Sequence, residues 1–274
     1  HGMTEYVGRY DDFARFLAGQ GFVVCGHDHI GHGKSAPDAS DRGHMPVDGG
    51  EEVLVEDVEA LRTLVAARFP STTPYFIFGH SMGSFVTRVY LTRHGGGLAG
   101  AVLCGTGNKA LVVSKAGNLL ARLIAKRSGE RTVSPFLHSM ADGAYSKAVE
   151  NPRTPFDWLS ANEENVDAFI ADEACGFPFT VGGYATLTAL TRDAARLDLA
   201  RSIPPSLPLL FVAGAHDPVG DNGEGVRSAA ELMRAAGVKS VDVVLYEGMR
   251  HEILNETGHE RVYADVLAWL EQSL

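Results

Sequence analysis

Three cysteines in a chain of 274 residues are too few for a disulfide framework or a thiolate zinc cluster, so a reducing, cytoplasmic setting is expected. No run of about 18 apolar residues is present, which leaves no candidate for a transmembrane helix. Basic residues are also scarce: 24 Lys and Arg face 34 Asp and Glu, for a formal charge of -10. That field repels a phosphate backbone, and no nucleic-acid partner is expected. The chain opens on His1-Gly2, without a basic stretch leading into an apolar one, so no secretory signal is visible. Charged residues make up only 21% against 45% hydrophobic, a balance that offsets chain entropy and argues against intrinsic disorder.

What is present is an alternation of short apolar runs with helix-like patterns, the signature of βα units around a mostly parallel sheet flanked by helices. Candidate strands are Gly21 to Cys25, Tyr75 to Phe78, Leu98 to Cys104, Leu207 to Val212 and Val241 to Tyr246. Their nearly unbroken apolar character fits strands covered on both faces. Asp48 with Glu51 reads as a capping pair for a helix carrying Leu54, Val58, Leu61 and Val65 on one face. Further helices are expected over Asp11 to Gln20, Phe85 to His94, Gly225 to Ala236 and Glu260 to Gln272. The alternation breaks from Thr106 to Leu199, too long for a simple crossover and read as an inserted, mainly helical cap (106–199) over a core of 1–105 and 200–274. Leu111, Val112, Leu119, Leu120, Leu123 and Ile124 form an apolar side within it, followed by Lys126, Arg127 and Arg131. This side is expected to be cap core, with an acyl-chain tunnel or transient membrane contact as alternatives.

The sharpest local signal is Gly79-His80-Ser81-Met82-Gly83, directly after one apolar run and before a helical pattern. A sharp strand-to-helix turn needs small residues beside it, and it thrusts Ser81 outward as a candidate nucleophile. The backbone N–H of Met82 is then a candidate oxyanion donor. A serine hydroxyl needs a base, and the base an orienting carboxylate. Asp217 follows the run ending at Val212, with Asp221 as the second choice, and His251 lies in a loop after the last strand. Among rival histidines, His259 reads as a helix-start residue and His80 as packing under the turn. His27, His29 and His32 read as part of a bracing loop rather than a metal site. Gly31-His32-Gly33-Lys34-Ser35 lacks the first glycine of a phosphate-binding loop, since position 28 is Asp. Cys25, Cys104 and Cys175 read as small buried hydrophobes. This chemistry calls for neither cofactor nor metal.

His1-Gly2, the loop from His27 to Ser35, the turn at Gly79 to Gly83, Asp217 and His251 together resemble the monoacylglycerol lipase and lysophospholipase group of the α/β-hydrolases, classed with serine aminopeptidase-like sequences. The resemblance implies an α/β-hydrolase fold and a Ser81-Asp217-His251 triad beneath a helical cap, with Met3 as the second oxyanion donor. It also implies an alcohol-side pocket at Glu5 and Arg9. The position three residues after His251 belongs to the same pattern, but there Leu254 replaces the histidine of animal-type members. The expected activity is hydrolysis of monoacylglycerols, lysophospholipids or related acyl esters. A peptidase of the same broad family and a noncatalytic binding protein are the alternatives. The expected partner is a small amphiphilic ester, with membrane or micelle contact through the cap. Folds of this kind begin with strands ahead of the His1-Gly2 turn, so an incomplete sheet is a further expectation.

Overall fold

The computed structural model describes the backbone of residues 1–274 and every side chain except that of Asp142. Helices α1 (Asp11–Gly19) and α2 (Gly50–Ala66) precede a four-stranded parallel sheet in which strand order follows chain order. The sheet comprises β1 (Phe76–His80), β2 (Gly100–Cys104), β3 (Leu209–Gly214) and β4 (Val241–Tyr246). Helix α3 (Met82–His94) joins β1 to β2. Between β2 and β3 the chain runs through the inserted cap helices α4 (Leu111–Ser128), α5 (Pro135–Ser146), α6 (Glu163–Ala171) and α7 (Val181–Ala194), then the short α8 (Leu197–Ala200). Helix α9 (Glu224–Ala236) leads to β4, and α10 (His259–Gln272) closes the chain.

The period of two along each strand divides the core into two layers. Ala101, Leu103, Leu209, Phe211 and Ala213 face α2, α3, α7 and α9. Their neighbours Val102, Cys104, Leu210 and Val212 face Phe13 and Leu17 of α1 and Val262, Val266 and Leu270 of α10. Every residue of β2 and β3 is buried, as expected for parallel strands covered on both faces. Val262, Val266 and Leu270 recur every fourth residue along α10 and form the stripe that packs.

The Gly21 to Cys25 segment corrects one expectation: Gly21 lies in a turn and the residues after it form no strand. A strand requires a ladder partner, and a cavity of about 410 Å³ lies between this segment and β1. Its walls include Val24, Cys25 and Gly26 on one side and Phe76, Ile77 and Phe78 on the other. Among the described residues no strand pairs with the outer edge of β1. Cys25 is consequently exposed, against the expectation of burial, while Cys104 and Cys175 are buried.

The cap is strapped to the core by Arg88 of α3, which is fully buried. Its guanidinium donates to the carbonyls of Gly107, where the chain enters the cap, and Ala194, where it leaves, both at 2.7 Å. Burial lowers the Arg88 pKa to about 10. The side of α4 read as cap core is split instead. Leu120 and Ile124 pack inward, whereas Val112, Leu119 and Leu123 are 77%, 61% and 57% exposed. Small or polar residues, Ser114, Asn118 and Ala121, fill the buried side, because α4 lies close against α7 and Asn118 donates to the Ala185 carbonyl. Asp48 does not cap α2 either: Gly49 occupies the cap position and Asp48 pairs with Arg122 of α4.

Candidate active site

The turn between β1 and α3 holds Ser81 at φ 52 and ψ -119, a left-handed backbone that costs a non-glycine residue about 1–3 kcal/mol. The surroundings enforce it. The Ser81 N–H donates to the Cys104 carbonyl of β2 at 2.9 Å, and Ser84 Oγ donates back to the Ser81 carbonyl at 2.6 Å. The flanking glycines are needed: a Cβ at Gly79 would collide with Thr87 and the Gly83 carbonyl, and one at Gly83 would meet the His1 carbonyl at 2.7 Å.

Asp217 follows β3 and His251 follows β4, so both arrive at the carboxyl edge of the sheet, beside the Ser81 turn. Asp217 is wholly buried; its Oδ2 accepts from His251 Nδ1 at 2.9 Å and its Oδ1 from the Val219 N–H at 2.9 Å. With Nδ1 committed to the carboxylate, Nε2 is the basic nitrogen left to His251. Burial depresses the imidazole pKa, but the charge and hydrogen bond of Asp217 outweigh it and raise the net value above that of ordinary histidine. Asp221, the second-choice carboxylate, lies on the surface and pairs with Lys109 at 2.6 Å.

Across the cavity, the loop after His1-Gly2 is held by a buried carboxylate. Glu5 Oε1 accepts from the Gly2 N–H at 2.5 Å and from the Tyr10 hydroxyl at 2.7 Å. His80 Nδ1 lies 2.7 Å from the Tyr10 hydroxyl and 3.3 Å from Glu5, and its Nε2 is 3.2 Å from the His251 carbonyl. Burial pushes the Glu5 carboxyl upward, but the His80 contact and the Arg9 charge outweigh it and hold Glu5 ionised. His80 thus does more than pack under the turn: it bridges the Gly2 loop and the His251 loop. Thr4, at φ 52, keeps its carbonyl on the Gly176 N–H of the cap at 2.9 Å. Among the described residues no partner is recorded for the N–H groups of Met3 and Met82, and both residues line a cavity arm that Ser81 also lines.

Two cavity arms meet at Ser81. One is lined by Met82, Phe85, Leu187 and Val219; the other by Glu5, Phe156, Phe169, Phe177, His251 and Glu252; Met3 and Trp158 face both. Of the residues tied to an alcohol pocket, Glu5 lines the second arm. Arg9 lies behind it, forked onto Glu252 at 2.5 and 2.8 Å, bonded to Asn165 at 3.0 Å and stacked 4.9 Å from the Phe169 ring centroid. Leu254 is buried in the core layer beneath α10 and does not line either arm. The His27, His29 and His32 rings pack against one another, and Asp28 braces their loop by accepting from the Val7 and Lys34 N–H groups at 2.8 and 2.7 Å. Glu252 and Tyr10 went unread in the sequence, although Glu252 adjoins His251. Trp158 of the cap sits with its ring centroid 5.2 Å from that of His251.

The family model described as "Serine aminopeptidase, S33" matches residues 1–258. The monoacylglycerol lipase of Mycolicibacterium smegmatis is 28% identical over all of this chain and 87% of its own length. Human monoglyceride lipase is 27% identical over 99% of this chain and 80% of its own. A thermostable carboxyl esterase from Bacillus coagulans, solved in complex with glycerol, superposes with a TM-score of 0.92 at 30% identity, covering 99% of this chain and 87% of that one. With Ser81 on a strained strand-to-helix turn and a buried Asp217–His251 pair beside it, the chain belongs to the serine aminopeptidase S33, monoacylglycerol-lipase-like family of α/β-hydrolases and is a serine hydrolase acting on small esters.

Proposed function

We propose that the chain hydrolyses uncharged carboxylic esters of small alcohols, monoacylglycerols foremost, through a Ser81 acyl-enzyme. His251 Nε2 takes the Ser81 proton as Oγ attacks the carbonyl, and the N–H groups of Met82 and Met3 receive the oxyanion. Removing one such donor typically costs about 3 kcal/mol of transition-state stabilisation. Collapse expels the alcohol with a proton from His251. Water, activated by the same nitrogen, then releases the acid, while Asp217 fixes the tautomer throughout.

The observation that carries the substrate reading is the charge of the second arm. Among the described residues no Lys or Arg lines it, two carboxylates do, and the neighbouring Arg9 is spent on them. A phosphate-bearing leaving group gains nothing there, which favours glycerol over a lysophospholipid headgroup. Because Arg9 also occupies Glu5 and Glu252, they offer no open acidic subsite to a peptide amine, which favours ester over peptide. The relatives' names and the glycerol in the esterase complex support the same reading. Val112, Leu119 and Leu123 recur along one side of α4 and are exposed, with Lys115, Arg122 and Lys126 one turn from them, a pattern suited to a micelle or bilayer holding the substrate.

The test is a panel sharing one acyl chain: p-nitrophenyl ester, monoacylglycerol, lysophosphatidylcholine and aminoacyl amide. The expected order of kcat/KM puts monoacylglycerol at least about tenfold above lysophosphatidylcholine. A preference for the phosphate-bearing ester or the amide would overturn it. The double variant Leu119→Asp/Leu123→Asp should raise KM for micellar monoacylglycerol and leave turnover of a soluble short ester unchanged.

A further inference from the structure

Glu256 is a buried carboxylate with no part in the chemistry above and only 2% exposed. Its Oε1 accepts from the Arg250 N–H at 2.8 Å and from the Ala161 N–H at 2.9 Å, and its Oε2 from the Asn162 N–H at 3.1 Å. Arg250 immediately precedes His251. Ala161 and Asn162 belong to the cap segment that carries Trp158 and leads into α6. We infer that Glu256 is a positioning residue for the base: it clasps the His251 loop to this cap segment, so that the two move as one unit.

Four further contacts join the same two segments. The Arg250 guanidinium donates to the Asp157 and Ser160 carbonyls at 2.6 and 3.2 Å. The Glu252 N–H donates to the Leu159 carbonyl at 2.7 Å, and Asn162 Nδ2 to the Asn255 carbonyl at 3.2 Å. Glu256 joins more backbone groups than any one of these, because a carboxylate offers only acceptors and here meets three N–H donors. An amide in its place keeps the shape but turns an NH2 group toward a donor. The consequence reaches the catalytic ring. Asp217 sets the tautomer of His251, but the backbone that carries the imidazole is placed by Arg250 and Glu252 on either side, and both are anchored to the cap. The same anchor sets Trp158 against the His251 ring at 5.2 Å. This half of the cap is thus part of the base's support.

The inference rests on the serine-hydrolase chemistry but not on which ester is cleaved, and one of its readouts is independent of turnover. In a Trp269→Phe background, Trp158 is the sole indole, and protonation of the adjacent His251 quenches it. Its fluorescence should therefore step with pH as His251 titrates. Glu256→Gln should at least halve that step. It should also lower kcat on p-nitrophenyl butyrate by about 100-fold with KM within about threefold, the pattern of a displaced catalytic group in an intact binding site. Circular dichroism and a cooperative melt establish that the variant is folded. If folded Glu256→Gln keeps kcat within about twofold and the same fluorescence step, the clasp has no positioning role and the inference fails. Should that variant not fold, Arg250→Met cuts the second strap alone. A loss of about tenfold in kcat supports the inference, and wild-type kcat overturns it. A wild type that cleaves no ester yet shows the step, with its loss in Glu256→Gln, would retain the clasp and remove the proposed activity.

Discussion

Asp217 acts on His251 in two ways that can be separated by titration. It orients the ring through Nδ1, and it raises the imidazole pKa against the pull of burial. Ester turnover needs neutral His251, so activity should fall as pH drops through a value above that of ordinary histidine. Asp217→Asn removes the raising influence and leaves burial, so the acidic limb of kcat/KM should move to lower pH while kcat falls by about 10⁴-fold. A limb that stays in place would show that another group sets it. Ser81, Asp217 and His251 were legible in the sequence because each sits next to a local signal: a glycine-flanked turn or the end of an apolar run. Glu256, Tyr10 and Arg88 were not, because a buried polar residue is recognised by its partners, and these lie on segments distant in the chain. Glu5 and Arg9 came only through family resemblance, which placed them at the site but did not show that they neutralise each other.

At the scale of elements, the strand-to-helix turn is held by close packing on both sides of Ser81. Gly79→Ala places a methyl group against Thr87 and the Gly83 carbonyl, and overpacking of this kind costs about 1–3 kcal/mol. The melting temperature should fall by about 3–10 °C, with ester turnover falling alongside it, as differential scanning calorimetry and a p-nitrophenyl ester assay would register. An unchanged melt would mean that the turn is not held as described. Helices α1, α9 and α10 lie within a few residues of their expected positions, since amphipathic spacing is a property of the segment itself. The run Gly21 to Cys25 shows where that logic stops: its apolar pattern is that of a strand, but a strand exists only with a neighbour, and the cavity beside β1 supplies none. Helix α4 shows the reverse. Its apolar residues are too numerous for one buried side, and contact with α7 is made by small residues, so the larger ones are left facing outward.

For the molecule as a whole, the sheet delivers Ser81, Asp217 and His251 to one edge, and the cap closes over them with Trp158 and Phe169. The formal charge of -10 is general, but the local arrangement is specific: Arg9, behind the cavity arm that Glu5 and Glu252 line, is held by both carboxylates. The net charge set an expectation against a nucleic-acid partner, yet it carried no information about where charges pair, which is decided by packing. The central claim is that Ser81 is the nucleophile of an ester hydrolase. It is tested most directly by treating the protein with a fluorophosphonate probe, mapping the adduct by peptide mass spectrometry and following p-nitrophenyl ester turnover in the same samples. The account predicts one adduct, on Ser81, with turnover lost in proportion to labelling, and a folded Ser81→Ala variant that neither labels nor turns over. An adduct on another residue, or full turnover by Ser81→Ala, would contradict it.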